Sequence, residues 1–188
     1  SVEDFLAKAT TPPPPSGSGG PAIFFTDITS GSNSGGENVG GFSGAYVTIY
    51  GNNFGASQST STVMLNGADC LRVVSWGTAH LWYQKIVVQL GSSCTSGNFA
   101  VTVGGQASTA ASVILNGAPT NNAAFTVRTG NIRCVSTTGA DTNTGAFGSC
   151  WRTLRKAVDT IAPGDVIYAM DGVTAVAEGA FYNSALVL

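Results

Sequence analysis

Charge is the scarcest property of this chain. Of its 188 residues, 8 are basic and 10 acidic, leaving a formal net charge of −2. Recognition of a phosphate backbone or an anionic membrane surface needs clustered Lys and Arg that displace counterions. Nucleic acid is therefore not expected as a partner. Apolar runs stay well short of the roughly 20 residues that a membrane-crossing helix requires, and no membrane span is expected. No serine falls in a Gly-x-Ser-x-Gly elbow, which leaves a serine-hydrolase reading without support. The one histidine, His80, sits in Thr78-Ala79-His80-Leu81-Trp82 with no motif-spaced nucleophile to activate. It reads as a surface or hydrogen-bonded structural residue. No Cys-x-x-Cys pair is present and His80 is the single histidine, which makes a zinc site the least favoured use of the cysteines; neither a metal nor a cofactor is expected. The chain opens on Ser1, with neither an initiator Met nor the apolar core of a signal peptide, as a processed or trimmed N-terminus would.

In place of charge there is glycine, at 25 residues, together with abundant Ser, Thr and Asn. This composition is common in secreted bacterial β-proteins, which stay soluble through hydroxyl and amide surfaces. The four cysteines point the same way. Cys70 with Cys94 and Cys134 with Cys150 form two pairs, each inside one expected structural unit. Three connectivities exist, and the spacing favours the local one; four reduced thiols are the alternative. Each local bridge closes a loop of roughly 17 to 25 residues and contributes about 3 kcal/mol in the chain-entropy picture. Bridged cysteines imply an oxidising, extracellular compartment.

Along the chain, Ser1–Ala9 has Phe5, Leu6 and Ala9 on one side of a short helix that is marginal alone. Thr10–Gly20 (TTPPPPSGSGG) is a linker, stiff in its polyproline part and flexible in its Gly/Ser part. From Pro21 onward short alternating strands are separated by Gly/Asn/Ser turns: Ala22–Ile28, Ala45–Tyr50, Thr62–Leu65, Cys70–Trp76, Lys85–Leu90, Phe99–Val103, Ala111–Leu115 and Ala123–Arg128. That rhythm predicts a β-sandwich. The residues Val47-Thr48-Ile49-Tyr50-Gly51-Asn52-Asn53-Phe54-Gly55, Val63-Met64-Leu65-Asn66-Gly67 and Gly97-Asn98-Phe99-Ala100-Val101-Thr102-Val103 resemble an immunoglobulin-like IPT/TIG domain over about a hundred residues. The physical reading agrees, with Val47, Ile49 and Phe54 inward and Gly51 and Gly55 where a Cβ would hinder the backbone. A Ser/Gly-rich stretch, Ser30–Gly41, departs from the family as an insertion in the first loop.

The region from Cys134 to Pro163 carries a second resemblance. Apolar Trp151, Leu154, Ala157, Val158 and Ile161 recur at helical spacing, opposite Arg152, Arg155, Lys156 and Asp159, and predict a helix over Trp151–Ile161 stopped by Pro163 and Gly164. The apolar run Asp165–Met170 then reads as a strand. With Val135-Ser136, Gly139, Asp141, Asn143, Gly145, Trp151-Arg152-Thr153 and Pro163-Gly164-Asp165, the segment resembles the N-terminal cap and first coil of a right-handed parallel β-helix protein of the pectate-lyase kind. Such a core closes only by stacking coils. The chain is thus expected either to continue beyond its apolar end, Ala185–Leu188, or to have that end covered by a neighbouring copy, up to a head-to-tail filament. The expected fold is mostly β: a linker segment over 1–20, an Ig-like TIG sandwich over 21–130, and over 131–188 a β-helix start with one short capping helix.

Carbohydrate chemistry requires facing carboxyls or a carboxylate-bound calcium with a base. Asp159, Asp165, Asp171 and Glu178 are the candidates in the second region. Asp165 reads as a turn cap and Asp159 as a solvated residue, and a β-helix enzyme of the resembled kind would carry its catalytic residues in later coils. Asp141–Gly145 superficially suggests a calcium loop, but Ala146 and Arg152 stand where an EF-hand needs Gly and Glu; an Asx-turn is favoured. Tyr46, Tyr50, Trp76, Trp82 and Tyr83 could stack on a pyranose, with Trp76 assigned to the core and the adjacent pair Trp82 and Tyr83 left as the sugar-contact candidates. The expected function is an extracellular, non-catalytic structural, adhesion or binding module whose partner is polysaccharide or another copy of itself. The alternatives are the front of a secreted β-helix lyase or hydrolase, and a filament subunit.

Overall fold

The computed structural model describes residues 20–80, 83–110, 113–115, 118–120 and 123–173. The expectations for Ser1–Ala9, nearly all of the linker, Trp82, Glu178 and the apolar C-terminal run lie outside them. In chain order the strands are β1 (Ala22–Thr26), β2 (Ser30–Ser32), β3 (Tyr46–Asn52), β4 (Thr62–Leu65), β5 (Leu71–His80), β6 (Tyr83–Leu90) and β7 (Gly97–Val103). They continue with β8 (Gln106–Ala107), β9 (Thr109–Ala110), β10 (Val113–Leu115), β11 (Ala118–Thr120), β12 (Ala124–Arg128), β13 (Ile132–Val135) and β14 (Val166–Ala169). A short helix, α1 (Leu154–Thr160), precedes the last of these.

β3 alternates strictly between buried and half-buried residues, because Val47 and Ile49 turn one way and Tyr46, Thr48 and Tyr50 the other. It pairs antiparallel with β1 and β6 in a sheet ordered β5-β6-β3-β1-β9. A second sheet runs β2-β12-β7-β4, with β8 folded back on β7. Ile23, Val47, Ile49, Ile86 and Val88 of the first sheet meet Val63, Leu65, Phe99, Val101 and Phe125 of the second in one buried core. The two sheets make a sandwich. The Cys70–Cys94 bond pins the entry to β5 against the loop after β6, both cysteines being almost fully buried.

The Gly51–Gly55 turn is held from three sides. Gly51 is required by close approach, since a Cβ there would overlap the carbonyl oxygen of Ala22 and the ring of Phe54. Gly55 serves a left-handed conformation, with φ of 79°. The Phe54 N–H donates to Gln84 Oε1 at 2.9 Å, Gln84 Nε2 donates to the Gly55 carbonyl at 2.9 Å, and the Trp76 indole donates to the Phe54 carbonyl at 2.8 Å. Phe54 is thereby locked fully inside the core.

β13 and β14 pair in parallel, Ile132 with Val166 through Val135 with Ala169, joined by a crossover that contains α1. Cys134 and Cys150 are bonded, closing the first half of that crossover. Trp151 fills the space between Val135 and Ala157, its indole donating to the Asn143 carbonyl at 2.8 Å.

Three expectations need correction. Ser30–Ser32 is not merely inserted loop: it forms β2, pairing in parallel with Thr126–Arg128. Its Ser-Gly-Ser sequence hides it, because the pairing rather than any apolar alternation makes the strand. The helix starts at Leu154 rather than Trp151. Asp141 Oδ1 accepts from the Arg152 and Thr153 N–H groups, both at 2.9 Å, and holds these residues extended, while Trp151 bridges to Val135. Thr153 then caps the helix by accepting from the Lys156 N–H at 3.1 Å. Val158, assigned to the apolar stripe, is 37% exposed. It stands at the rim of an open groove between α1 and β14 instead of in the core. Strand ends shift more modestly: β1 stops at Thr26, β5 continues to His80, and β6 begins at Tyr83.

The sandwich and the following segment touch closely. Only Thr129, Gly130 and Asn131 separate β12 from β13. The Ile132 N–H donates to the Ser34 carbonyl at 3.2 Å, the Ser32 hydroxyl donates to the Gly130 carbonyl at 2.5 Å, and the Tyr46 N–H donates to the Tyr168 hydroxyl at 3.3 Å. Burial pushes the Tyr168 hydroxyl pKa up, against the opposing effect of that N–H.

Candidate functional site

The outward face of the first sheet carries the aromatic side chains that strand alternation keeps out of the core. Phe25 lies opposite Tyr50 in the β1–β3 register, and their rings stack at 4.7 Å with 28° between planes. Tyr83, on β6, sets its ring nearly perpendicular to both, 5.9 Å from Phe25 and 5.4 Å from Tyr50. All three are half-buried. Burial first, and the neighbouring Tyr50 second, push the Tyr83 hydroxyl above its ordinary pKa, so it is a neutral hydrogen-bonding group at physiological pH. Sequence reasoning named Tyr50 and Tyr83 but missed Phe25, because the pairing of β1 with β3 is not visible in local spacing. Trp76 is packed against the core and bonded to the Phe54 carbonyl, the framework position expected of it.

Further along the same face a polar network replaces the rings. Gln89, fully buried, accepts on Oε1 from Arg72 Nε at 3.0 Å and Nη2 at 2.8 Å, and donates to the Glu37 carbonyl at 2.9 Å. Arg72 also donates to the Tyr46 hydroxyl at 3.3 Å. Tyr46 is occupied in holding the loop around Glu37 to the sheet, which separates it from the aromatic trio.

The second sheet has a different outward surface. β12 leaves β7 after Phe125 to pair with β2, and the Ser96 hydroxyl spans the gap by accepting from the Val127 N–H at 2.9 Å. The result is an open cleft of about 610 Å³ between the two pairings.

A family model for the IPT/TIG domain matches residues 28–127. The chain belongs to that family. No curated protein and no solved structure matches it. TIG domains are non-catalytic Ig-like modules found in binding and adhesion proteins. The TIG match covers both outward surfaces described above, apart from Phe25 and Arg128, which flank it.

Two carboxylates beyond the TIG match, Asp165 and Asp141, are engaged in holding backbone turns. Asp165 accepts from the Asn131 N–H at 2.7 Å and the Ala162 N–H at 3.2 Å, with Arg133 3.6 Å away. Asp141 additionally accepts from the Thr153 hydroxyl at 2.8 Å. Burial alone would raise both pKa values, but the hydrogen bonds outweigh it and hold both carboxyls below their usual range, helped at Asp165 by Arg133 and at Asp141 by Lys156. Asp159 pairs with Arg155 on the exposed side of α1, and Asp171 is exposed. Among the described residues no His, Cys, Asp and Glu group forms a metal-holding cluster, and no helix is long and apolar enough to cross a membrane.

A depressed folded-state pKa contributes stability above the unfolded value, near pH 4, that is lost as pH falls through the folded value. Thermal melts are thus expected to show stability dropping below about pH 4, and Asp165→Asn should lower the melting temperature at neutral pH while flattening this acid slope. An unchanged slope would remove Asp165 from that role.

Proposed function

We propose that this chain comes from an extracellular protein in which the TIG sandwich, spanning residues 21–130, is a non-catalytic binding or adhesion module that contacts polysaccharide through the aromatic face of its first sheet. The observation that carries this reading is the Phe25–Tyr50 stack with Tyr83 set edge-on against both. Aromatic bodies with a polar tip suit a sugar, offering ring surface to its C–H groups and a hydroxyl to its own. Trp82, beside Tyr83 in sequence and outside the described residues, stays a sugar-contact candidate on sequence alone, and the two disulfides suit an oxidising compartment. Titration of plant and algal polysaccharides, read by intrinsic fluorescence and by affinity electrophoresis, should find a ligand whose binding weakens at least about tenfold in Tyr50→Ala and Tyr83→Ala. No ligand, or unchanged affinity in both variants, would sink the reading.

A second reading concerns residues 131–188, as the cap and first coil of a right-handed parallel β-helix, the front of a longer lyase or hydrolase or of a self-assembling filament. It is favoured by the parallel β13–β14 pair and by the mainly apolar groove of about 380 Å³ beside β14, lined by Leu154, Val158, Ile161, Val166, Ile167 and Ala169 with Asp165 at its edge. A coil stacked there would bury it. If the groove is covered, Val158→Asp should cost well over 1 kcal/mol; left open to water, the change stays within about 0.5 kcal/mol. Light scattering then separates the occupants, since a covered monomer indicates the next coil and a larger species a second copy.

A further inference from the structure

The cleft on the second sheet lies on the opposite side of the sandwich from the aromatic face, and its chemistry differs. Ala124, Thr126 and Arg128 alternate outward along β12 while Phe125 turns into the core. Thr29 and Ser30 border the cleft from the β2 side, and Ser96 and Asn98 from the β7 side. Its polar lining consists of hydroxyls, one amide and one guanidinium, with no acidic residue. Arg128 donates through Nε to the Ser30 hydroxyl at 2.9 Å, a bond that fixes the guanidinium against β2. Among the described residues no carboxylate pairs with it, whereas Arg133 and Arg155 have Asp165 and Asp159. In a chain of net charge −2 this is a local positive site set among neutral hydrogen-bonding groups.

We propose that this cleft binds an acidic sugar, with Arg128 receiving the carboxylate and the surrounding Ser, Thr and Asn side chains receiving the ring hydroxyls. A guanidinium offers a planar fork of donors that matches a carboxylate. Hydroxyl and amide groups both donate and accept, as sugar hydroxyls do. The volume of about 610 Å³ falls within the range of small-molecule sites. The proposal goes beyond the aromatic-face reading, since it names another surface and a charged ligand.

The test is calorimetric titration of the whole chain with oligomers of galacturonic acid, with the same oligomers fully methyl-esterified, and with sodium sulfate. The acid oligomer should bind, the neutral ester at least about tenfold more weakly, and sulfate should compete poorly. Arg128→Ala should reduce affinity for the acid oligomer about tenfold or more with an unchanged circular dichroism spectrum, Arg128→Lys should fall between, and Asn98→Ala should weaken it as well. Tyr50→Ala and Tyr83→Ala should leave it unaltered, which separates this site from the aromatic face. Equal affinity for acid and ester, full competition by sulfate, undiminished binding in Arg128→Ala, or absence of binding would each overturn the proposal.

Discussion

Trp151→Ala is expected to cost about 3–5 kcal/mol, at the upper end of core truncations, and to loosen the whole segment from Ile132 to Val173. Trp151 is 2% exposed and is the largest side chain in its small core, where, among the described residues, Val135 and Ala157 are buried as deeply. Its backbone is committed too, its N–H donating to the Cys134 carbonyl at 3.0 Å and its carbonyl accepting from the Ser136 N–H at 2.9 Å. Gly139 and Gly145 are shaped around it, since a Cβ on Gly139 would overlap its carbonyl and one on Gly145 would press its ring. Denaturant unfolding followed by hydrogen exchange at β13 and β14 measures the effect. A loss below about 1 kcal/mol would mean that Trp151 does not organise this core.

Phe54→Ala should cost a similar 3–5 kcal/mol in the sandwich. The side chain is fully buried between the sheets, and its backbone is held by Gln84 and Trp76, so the turn cannot move inward to fill the void. A companion substitution sharpens the test. Phe54 occupies part of the space that a Cβ on Gly51 would need, so adding Gly51→Ala to Phe54→Ala looks at first like cavity filling. It is expected to destabilise further, because the Ala22 carbonyl still blocks that position from the neighbouring strand. Rescue in thermal melts would show that β1 and β3 can separate at Gly51.

These two residues also mark what the sequence disclosed. Val47, Ile49 and Phe54 turn inward as alternation and the family motif imply, and the cysteine spacing anticipated both bridges, since each pair lies within one local unit. β2 went unread because Ser-Gly-Ser carries no apolar signal, and its partner is 96 residues away at Thr126 (126 − 30). The helix start was misplaced because Trp151 fits helical spacing, while the Asp141 carboxylate that keeps Arg152 and Thr153 extended acts from a turn well upstream. The surfaces were harder still. Tyr50 and Tyr83 were visible as aromatics, but their stacking with Phe25 depends on strand register, and the Arg128 cleft exists only because β12 changes partners midway.

The short passage from β12 to β13 has a mechanical meaning. Gly130 and Gly164 approach so closely that a Cβ on either would strike the other loop, and Asp165 ties both loops through the Asn131 and Ala162 N–H groups. With the Tyr46–Tyr168 and Ser34–Ile132 bonds alongside, the joint has several attachment points. A pull on either side of it would travel through hydrogen bonds loaded together rather than peeled one at a time, so the joint would act as a strut, passing torque from one part to the other and keeping both outward faces at a set angle to the β13–β14 axis.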